Sequence, residues 1–444
     1  MGERLSAMHT VLFAYYFPPD GGAGTQRPTS FARYLPTHNV DVTVVTRTPP
    51  MARNYYEPAD HGLLEKVTGG APHAAGAARC RIARTPTPSA GIAAWLPEAL
   101  ELGERVIADE RPDVLLVTMS PFELWRVGAA LADRHRIPVV FDLRDPWALD
   151  GVQSHRTYFA WRRERDEMRA MLQRGDGIIA NTPECRRLFL ELAPSLAAER
   201  VVTITNGWDR DDFPPPAPRV PMGDAMRIVF TGSFLCKTLY ESQSLRKRAA
   251  RLLRHAPEPI MPSGRTPLHL LRAMRLLRDR GDAAGRETRF VSVGQADEWL
   301  ERCVRESGMA DQVELRGYCP HDETVRAARE ADALFLTLHG LPRGHRSRIV
   351  PGKAYEYLAT GRPILGALPA GDAREIVEAS GRGYCADPCN DEELARAISS
   401  LHEAWKRGAF VESVQGPNVA AYERSKLAGD LATFLGRVAA SPVR

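Results

Sequence analysis

Between Pro351 and Gly361 the chain reads Pro-Gly-Lys-Ala-Tyr-Glu-Tyr-Leu-Ala-Thr-Gly, and three of these residues can act together. Pro351 suits the first position of a helix, where its missing N–H would be unbonded anyway, and Gly361 suits the close of that helix before a buried run starting at Pro363. A helix start offers free amides and the positive end of the peptide dipole. Gly352 and Lys353 can therefore hold a diphosphate, with Lys353 adding a full charge. Glu356 lies one turn further in. A carboxylate there repels phosphate but accepts hydrogen bonds from two adjacent hydroxyls, which a ribose beside that diphosphate presents. The pattern implies a site for a nucleoside diphosphate.

Positioning such a site requires a scaffold, and the apolar runs supply one. Short β-branched runs recur at Val11–Tyr16, Val40–Thr46, Asp113–Thr118, Val139–Leu143, Gly177–Ala180 and Val201–Thr205, with amphipathic stretches between them. Continuous apolar strands of this kind are buried on both faces, so a parallel sheet with helices on each side is expected. A proline-rich joint, Pro214-Pro215-Pro216-Ala217-Pro218, follows. The alternation then restarts at Arg227–Thr231, Phe290–Val293, Val313–Leu315, Ala333–Leu338, Pro363–Ala367 and Gly383–Ala386. The expected fold class is α/β, with two Rossmann-like, doubly wound parallel-sheet domains: 1–212 and 213–419. Ligands of such sheets bind beyond the carboxyl ends of the strands. The loop after the first run, Pro18 to Arg27, is glycine-rich there and opens a helix. Gly22-Ala23-Gly24 begins like a dinucleotide fingerprint, but Arg27 replaces the third glycine and the second run ends in Thr46-Arg47 instead of an acid, which argues against a dehydrogenase.

Composition narrows the remaining classes. At 444 residues and 44% hydrophobic the chain can bury two ordinary cores, and its net charge of +4 shows no basic block of the kind that binds nucleic acid. Seven cysteines are scattered without paired CxxC spacing, which fits a reducing cytoplasm. The apolar run Val11–Phe17 is too short to span a membrane and continues into Pro18-Pro19-Asp20, unlike a cleavage site. A cytoplasmic protein is expected, with contact to the inner membrane face an option through the aromatic and arginine-rich stretch Arg156–Arg174. Asp209-Arg210-Asp211 and Cys385-Ala386-Asp387-Pro388-Cys389 carry metal-ligand types but no second ligand set, so no metal is expected.

Tyr15 through Gly24, Asp142 through Trp147, Asn206-Gly207, Phe230-Thr231-Gly232-Ser233, Val293-Gly294, Arg316-Gly317-Tyr318 and Lys353 through Gly361 occur in that order. Together they resemble the family-4 retaining glycosyltransferases of the GT-B architecture. The resemblance implies two Rossmann-like domains facing across a cleft, the second binding a nucleotide-sugar and the first an acceptor, with a last helix at about 420–444 crossing back onto the first domain. It implies that Glu356 binds the ribose and that Gly352 and Lys353 lie under the diphosphate. Tyr318 falls in the loop that meets the nucleobase, and Gly232, Ser233 and Gly294 fall in the neighbouring substrate loops. Gly21, Gly22 and Ala23 fall where the first-domain loop approaches the transferred sugar. No separate cofactor is implied, because the nucleotide-sugar is a co-substrate.

Three departures from the family pattern stand out. Arg348 occupies the place, eight residues before Glu356, where a carboxylate is usually directed at the donor sugar. Arg144 and Asp145 occupy a place where many relatives carry histidine; with Lys353 they are the candidate catalytic residues, and an Arg–Asp pair bracing the loop is the alternative. Only Lys237 stands close to the expected phosphate-binding pair, and an insertion at about 236–266 brings Arg246, Lys247, Arg248, Arg251 and Arg254. That insertion is expected either to be a solvated face or to close over an anionic acceptor or the diphosphate. The resulting expectation is sugar transfer to a hydroxyl or amine acceptor. A sugar-nucleotide epimerase or hydrolase and a non-catalytic partner protein are its rivals.

Overall fold

The computed structural model describes residues 7–49, 60–68, 79–88, 91–214, 223–241, 254–410, 416 and 418–441. The chain forms two compact units: Met1–Leu149 with Arg163–Asn206 and Glu423–Arg444, and Asp150–Arg162 with Gly207–Tyr422. The boundary thus falls at 206/207 instead of 212/213, and 150–162 joins the second unit despite its place in the first half of the chain.

The first unit holds β1 (Met8–Ala14), β2 (Val40–Thr48), β3 (Cys80–Pro88), β4 (Val114–Met119), β5 (Val139–Leu143), β6 (Gly177–Ala180) and β7 (Val201–Thr203) in the order β3-β2-β1-β4-β5-β6-β7, all parallel. Every residue of β4 and β5 is buried, as strands covered on both faces must be. Alternate side chains divide the core. Val11, Phe13, Leu115, Val117 and Phe141 pack with Trp95 and Leu131, whereas Leu12, Ala14, Leu116, Val140 and Ile179 pack with Phe31, Leu431 and Phe434. The last two come from the helix Arg424–Ala439, which thereby closes one face of this sheet.

The second unit holds β8 (Met226–Thr231), β9 (Thr288–Val293), β10 (Val313–Leu315), β11 (Ala333–Thr337), β12 (Ile364–Ala367) and β13 (Gly383–Ala386), in the parallel order β10-β9-β8-β11-β12-β13. Strand order reverses between β8 and β11. Their carboxyl ends therefore flank the crevice in which such sheets bind ligands. The helix Gly352–Thr360 buries Ala354, Tyr355, Tyr357 and Leu358 against one face and ends on Gly361 in the left-handed region, φ 67°. Pro351 is extended, φ −65° and ψ 142°, and precedes the first helical residue. It caps the helix instead of occupying its first position, a shift of one residue from the sequence expectation.

Of the insertion, the short helix Cys236–Glu241 and the segment from Arg254 onward are described. Arg246, Lys247, Arg248 and Arg251 lie outside the described residues. Past them, His255 and His155 exchange backbone hydrogen bonds of 2.8 and 3.0 Å, and Met261 pairs with Gly340 after β11. These bridges hold 150–162 and the end of the insertion to one unit.

Candidate active site

The loops leaving β8, β9 and β10 are stitched together by their backbones. Gly232 N–H donates to Val293 O at 2.7 Å, and Gly294 N–H donates to Gly317 O at 2.8 Å. The approach is so close that a Cβ on Gly294, whose φ is +147°, would lie 2.0 Å from Gly232 O. Only glycine satisfies both the dihedral and the space. Gly232, at φ +112°, faces the ammonium of Lys353: a Cβ there would come within 2.7 Å of Nζ.

Lys353 enters from the start of its helix and donates to Thr231 O at 2.6 Å, with Nζ 4.1 Å from the centre of the Phe230 ring. Burial and the neighbouring Arg265 guanidinium push its pKa down to about 8, against the opposing pull of Glu356. Tyr357, on the same helix, accepts the Thr231 N–H at 2.9 Å and locks the helix to the end of β8. No side chain caps the helix start, which leaves its first amides directed toward an incoming anion.

Arg265 reaches this place from the far end of the insertion. Gly264 lets it, since a Cβ there would come 2.5 Å from Gly340 N and 2.7 Å from Leu338 O. Thr337 Oγ1 donates to Gly264 O at 2.5 Å. Burial lowers the Arg265 pKa while Asp150 opposes it, and burial together with Arg265 holds the imidazole of His339 down to about 4. The crevice between β8 and β11 thus gathers an ammonium, a guanidinium and a neutral imidazole, with Glu356 beside the ammonium. Such a set compensates concentrated negative charge.

In the first unit, Gly22 sits at φ 87° just before the helix Ala23–Tyr34, and Thr25 Oγ1 donates to its carbonyl at 2.8 Å. Arg144 donates to Gly24 O at 2.5 Å and to Ser120 Oγ at 3.2 Å, and its Nε lies 3.5 Å from Asp145. It therefore ties together the loops that follow β1, β4 and β5. Burial raises the Asp145 pKa, opposed by Arg144 and Arg27. The buried pair below it is Arg27 with Asp142, at 2.7 Å; Thr118 Oγ1 completes the carboxylate at 2.7 Å, and Arg27 also donates to Ile204 O and Thr205 O. This explains why arginine stands where a dinucleotide fold has its third glycine: the side chain joins the first helix to β5 and to the chain beyond β7.

Residues 26–212 match the family described as Glycosyltransferase Family 4, and residues 265–404 match the Glycosyl transferases group 1 family. Solved structures share both units at once. Anabaena HepE, determined with UDP and glucose, is 16% identical over 97% of this chain and 99% of its own, with a TM-score of 0.60. Sucrose-phosphate synthase from Thermosynechococcus elongatus is 15% identical over 97% and 98%, with a TM-score of 0.61. The chain belongs to the family-4-like glycosyltransferases of the GT-B fold. A putative UDP-N-acetylglucosamine 2-epimerase from Listeria monocytogenes has the same fold at 13% identity over 96% and 94%, with a TM-score of 0.53. A comparison with curated protein sequences returned no match.

Within this glycosyltransferase, Gly232, Gly294, Gly352, Lys353 and Glu356 lie together around one crevice. Tyr318 is 75% exposed in the loop after β10, and Ser233 and Lys237 are exposed beyond β8. Arg348 Nη2 donates to Glu258 Oε1 at 2.7 Å. Gly21, Gly22, Ala23, Arg144 and Asp145 gather at the carboxyl end of the first sheet. Sequence reasoning missed Arg265, His339 and Glu258. The Gly264-Arg265 step was the available signal, a small residue before a cation just ahead of an amphipathic helix. Among the described residues no group of three or more His, Cys, Asp or Glu is placed to hold a metal ion, and no helix is long and apolar enough to cross a membrane.

Proposed function

We propose that this glycosyltransferase moves a sugar, with retention of anomeric configuration, from a nucleoside-diphosphate donor to a hydroxyl or amine acceptor. The observation that carries the proposal is the Lys353 ammonium, held at the uncapped helix start between Thr231 O and the Phe230 ring with Arg265 beside it. Two cations and a helix start are matched to a diphosphate leaving group. Glu356, one turn along, suits the ribose hydroxyls. In such a reaction the glycosidic bond to the diphosphate breaks as the acceptor oxygen or nitrogen attacks from the same face. A departing phosphate oxygen takes the acceptor proton, so no dedicated carboxylate base is needed. Charge stabilisation by Lys353 and Arg265 supplies what a divalent ion supplies in other sites, and metal-independent turnover without a separate cofactor is part of the proposal. Cysteines left unpaired throughout the described residues support a reducing, cytoplasmic setting.

The test is release of nucleoside diphosphate from UDP-, dTDP- and GDP-sugars with and without a panel of alcohol, glycan and amine acceptors, in the presence of EDTA. Acceptor-dependent release with an α-linked donor giving an α-linked product is expected. Acceptor-independent release, or interconversion of the donor sugar alone, assigns the chain to hydrolysis or epimerisation instead.

A further inference from the structure

The segment Asp150–Arg162 and the described end of the insertion meet in the second unit beside the loop that follows β11, and between them lies an open pocket. Its polar lining is Asp150, Glu258, His339, Ser347 and Arg348, with Ile260 and Leu338 below. Glu258 is 8% exposed and fixed from two sides. Arg348 Nη2 donates to Oε1 at 2.7 Å, His345 Nδ1 lies 3.4 Å from the same oxygen, and Gly151 leaves the room for Oε2, since a Cβ there would lie 2.5 Å from it.

The pocket adjoins the place where Arg265 is set, since a Cβ on Gly264, the residue before it, would lie 3.1 Å from the His339 backbone carbonyl carbon. His339 lines the pocket, and Arg265 stands close enough to shift the titration of both His339 and Lys353. A ligand whose diphosphate rests on Lys353 and Arg265 therefore presents its next group here. The lining suits a group that donates several hydrogen bonds and accepts a few. A carboxylate held by an arginine retains lone pairs for hydroxyl donors, and Ser347, Arg348 and a neutral His339 add donors and acceptors around it. An apolar or phosphorylated group would leave Glu258 facing nothing or a like charge.

We infer that the insertion places Glu258 as a sugar-reading residue, its carboxylate accepting hydrogen bonds from hydroxyls of the donor's transferred sugar while Arg348 and Gly151 hold it in position. This rests on the proposed function, because the sugar is reached through the diphosphate that Lys353 and Arg265 bind. It gives the insertion a role in donor selection, and makes Arg348 a positioning residue.

The experiment compares each free nucleotide with its sugar conjugate: UDP with UDP-glucose, dTDP with dTDP-glucose, and GDP with GDP-mannose, by calorimetry on the full chain. In the wild type the conjugate of the preferred base should bind at least as tightly as the nucleotide. Glu258→Gln should weaken the conjugate about tenfold, the worth of a hydrogen bond to a charged acceptor, and leave the nucleotide within about twofold. Gly151→Ala, which drives a methyl into the Glu258 carboxylate, should give the same selective loss, and either variant suffices if the other does not fold. Equal loss of nucleotide and conjugate, or no loss of either, overturns the inference and reduces the Glu258–Arg348 pair to a clamp on the insertion. If the wild type binds none of the three nucleotides, the proposed function itself falls and the inference falls with it.

Discussion

A lysine ammonium held between a carbonyl oxygen and an aromatic face, with a guanidinium nearby, is poised between two charge states. Lys353 has its pKa pushed down to about 8, whereas an unfolded lysine keeps its proton to near 10.5. Between those values the unfolded chain binds the extra proton, so the ligand-free protein gains stability as pH rises through that window. Binding of an anion runs the other way. A diphosphate favours the charged lysine, so nucleotide affinity should be full below pH 8 and fall above it. Lys353→Ala should lose about 1.5–3 kcal/mol of nucleotide binding, an affinity drop of roughly 10- to 150-fold, and should flatten the affinity profile above pH 8. Calorimetric titrations of the nucleotide from pH 6.5 to 9.5 on both proteins read the two effects together. An unchanged Kd in the variant would remove Lys353 from the site. That this residue and Glu356 share one helix start was legible in the sequence, because local spacing fixes their geometry. Arg265, 88 positions upstream, was not. Nothing local relates it to Lys353; the pairing of Met261 with Gly340, the hydrogen bond from Thr337 to Gly264 O and the smallness of Gly264 bring it in.

The elements most legible in the sequence were the buried strands. Six of the seven in the first sheet and all six in the second announce themselves as short runs rich in apolar residues; inner strands such as β4 and β11 are buried along their whole length, whereas the edge strands β7, β10 and β13 are only partly buried. The strand that did not is β3. It lies at the edge, carries Pro86 and Pro88 near its end and arginines at 81 and 84, and keeps a single residue, Thr85, fully buried. An edge tolerates proline and charge, and a strand so exposed lacks the pattern by which strands are recognised. Loops resisted reading for a different reason: their constraint is mutual. Gly294 is glycine because of Gly232, in a loop sixty-odd residues earlier in the chain. Gly294→Ala must move one of these loops, since the added carbon would lie 2.0 Å from Gly232 O at a strained φ of +147°. A loss of about 2–4 kcal/mol in denaturant unfolding is expected, accompanied by weaker nucleotide binding because the displaced Gly232 faces Lys353. Gly281→Ala is the control: its φ of +73° is similarly left-handed, but nothing lies within 4 Å of the added carbon. It should cost about 1 kcal/mol and leave binding unchanged.

The chain does not divide into its two units at one point, and this governs how the molecule can be cut. The first unit takes its last helix from Arg424–Ala439, and the second takes Asp150–Arg162 from within the first half. Leu431, Phe434, Leu435 and Val438 cover Leu12, Leu116, Val140 and Ile179, and Gly177 is small because a Cβ there would lie 2.8 Å from the Phe434 ring. A fragment ending at Asn206 would expose that face of the sheet. Burying four such side chains is worth on the order of 6–12 kcal/mol, comparable with the whole stability of an ordinary domain. Residues 1–206 alone should therefore aggregate or remain a loosely packed state. Joining 423–444 to that fragment through a glycine–serine linker should restore a soluble species with a cooperative thermal transition. Near-UV circular dichroism and size-exclusion chromatography separate the two states. The restored species should not gain heat stability from a nucleotide, since Lys353, Arg265 and Glu356 all belong to the other unit. Cooperative unfolding of 1–206 without the helix would show that Arg424–Ala439 is an accessory to the first sheet instead of part of its core. Nucleotide-dependent stabilisation of the joined fragment would place the diphosphate site on the wrong half of the molecule.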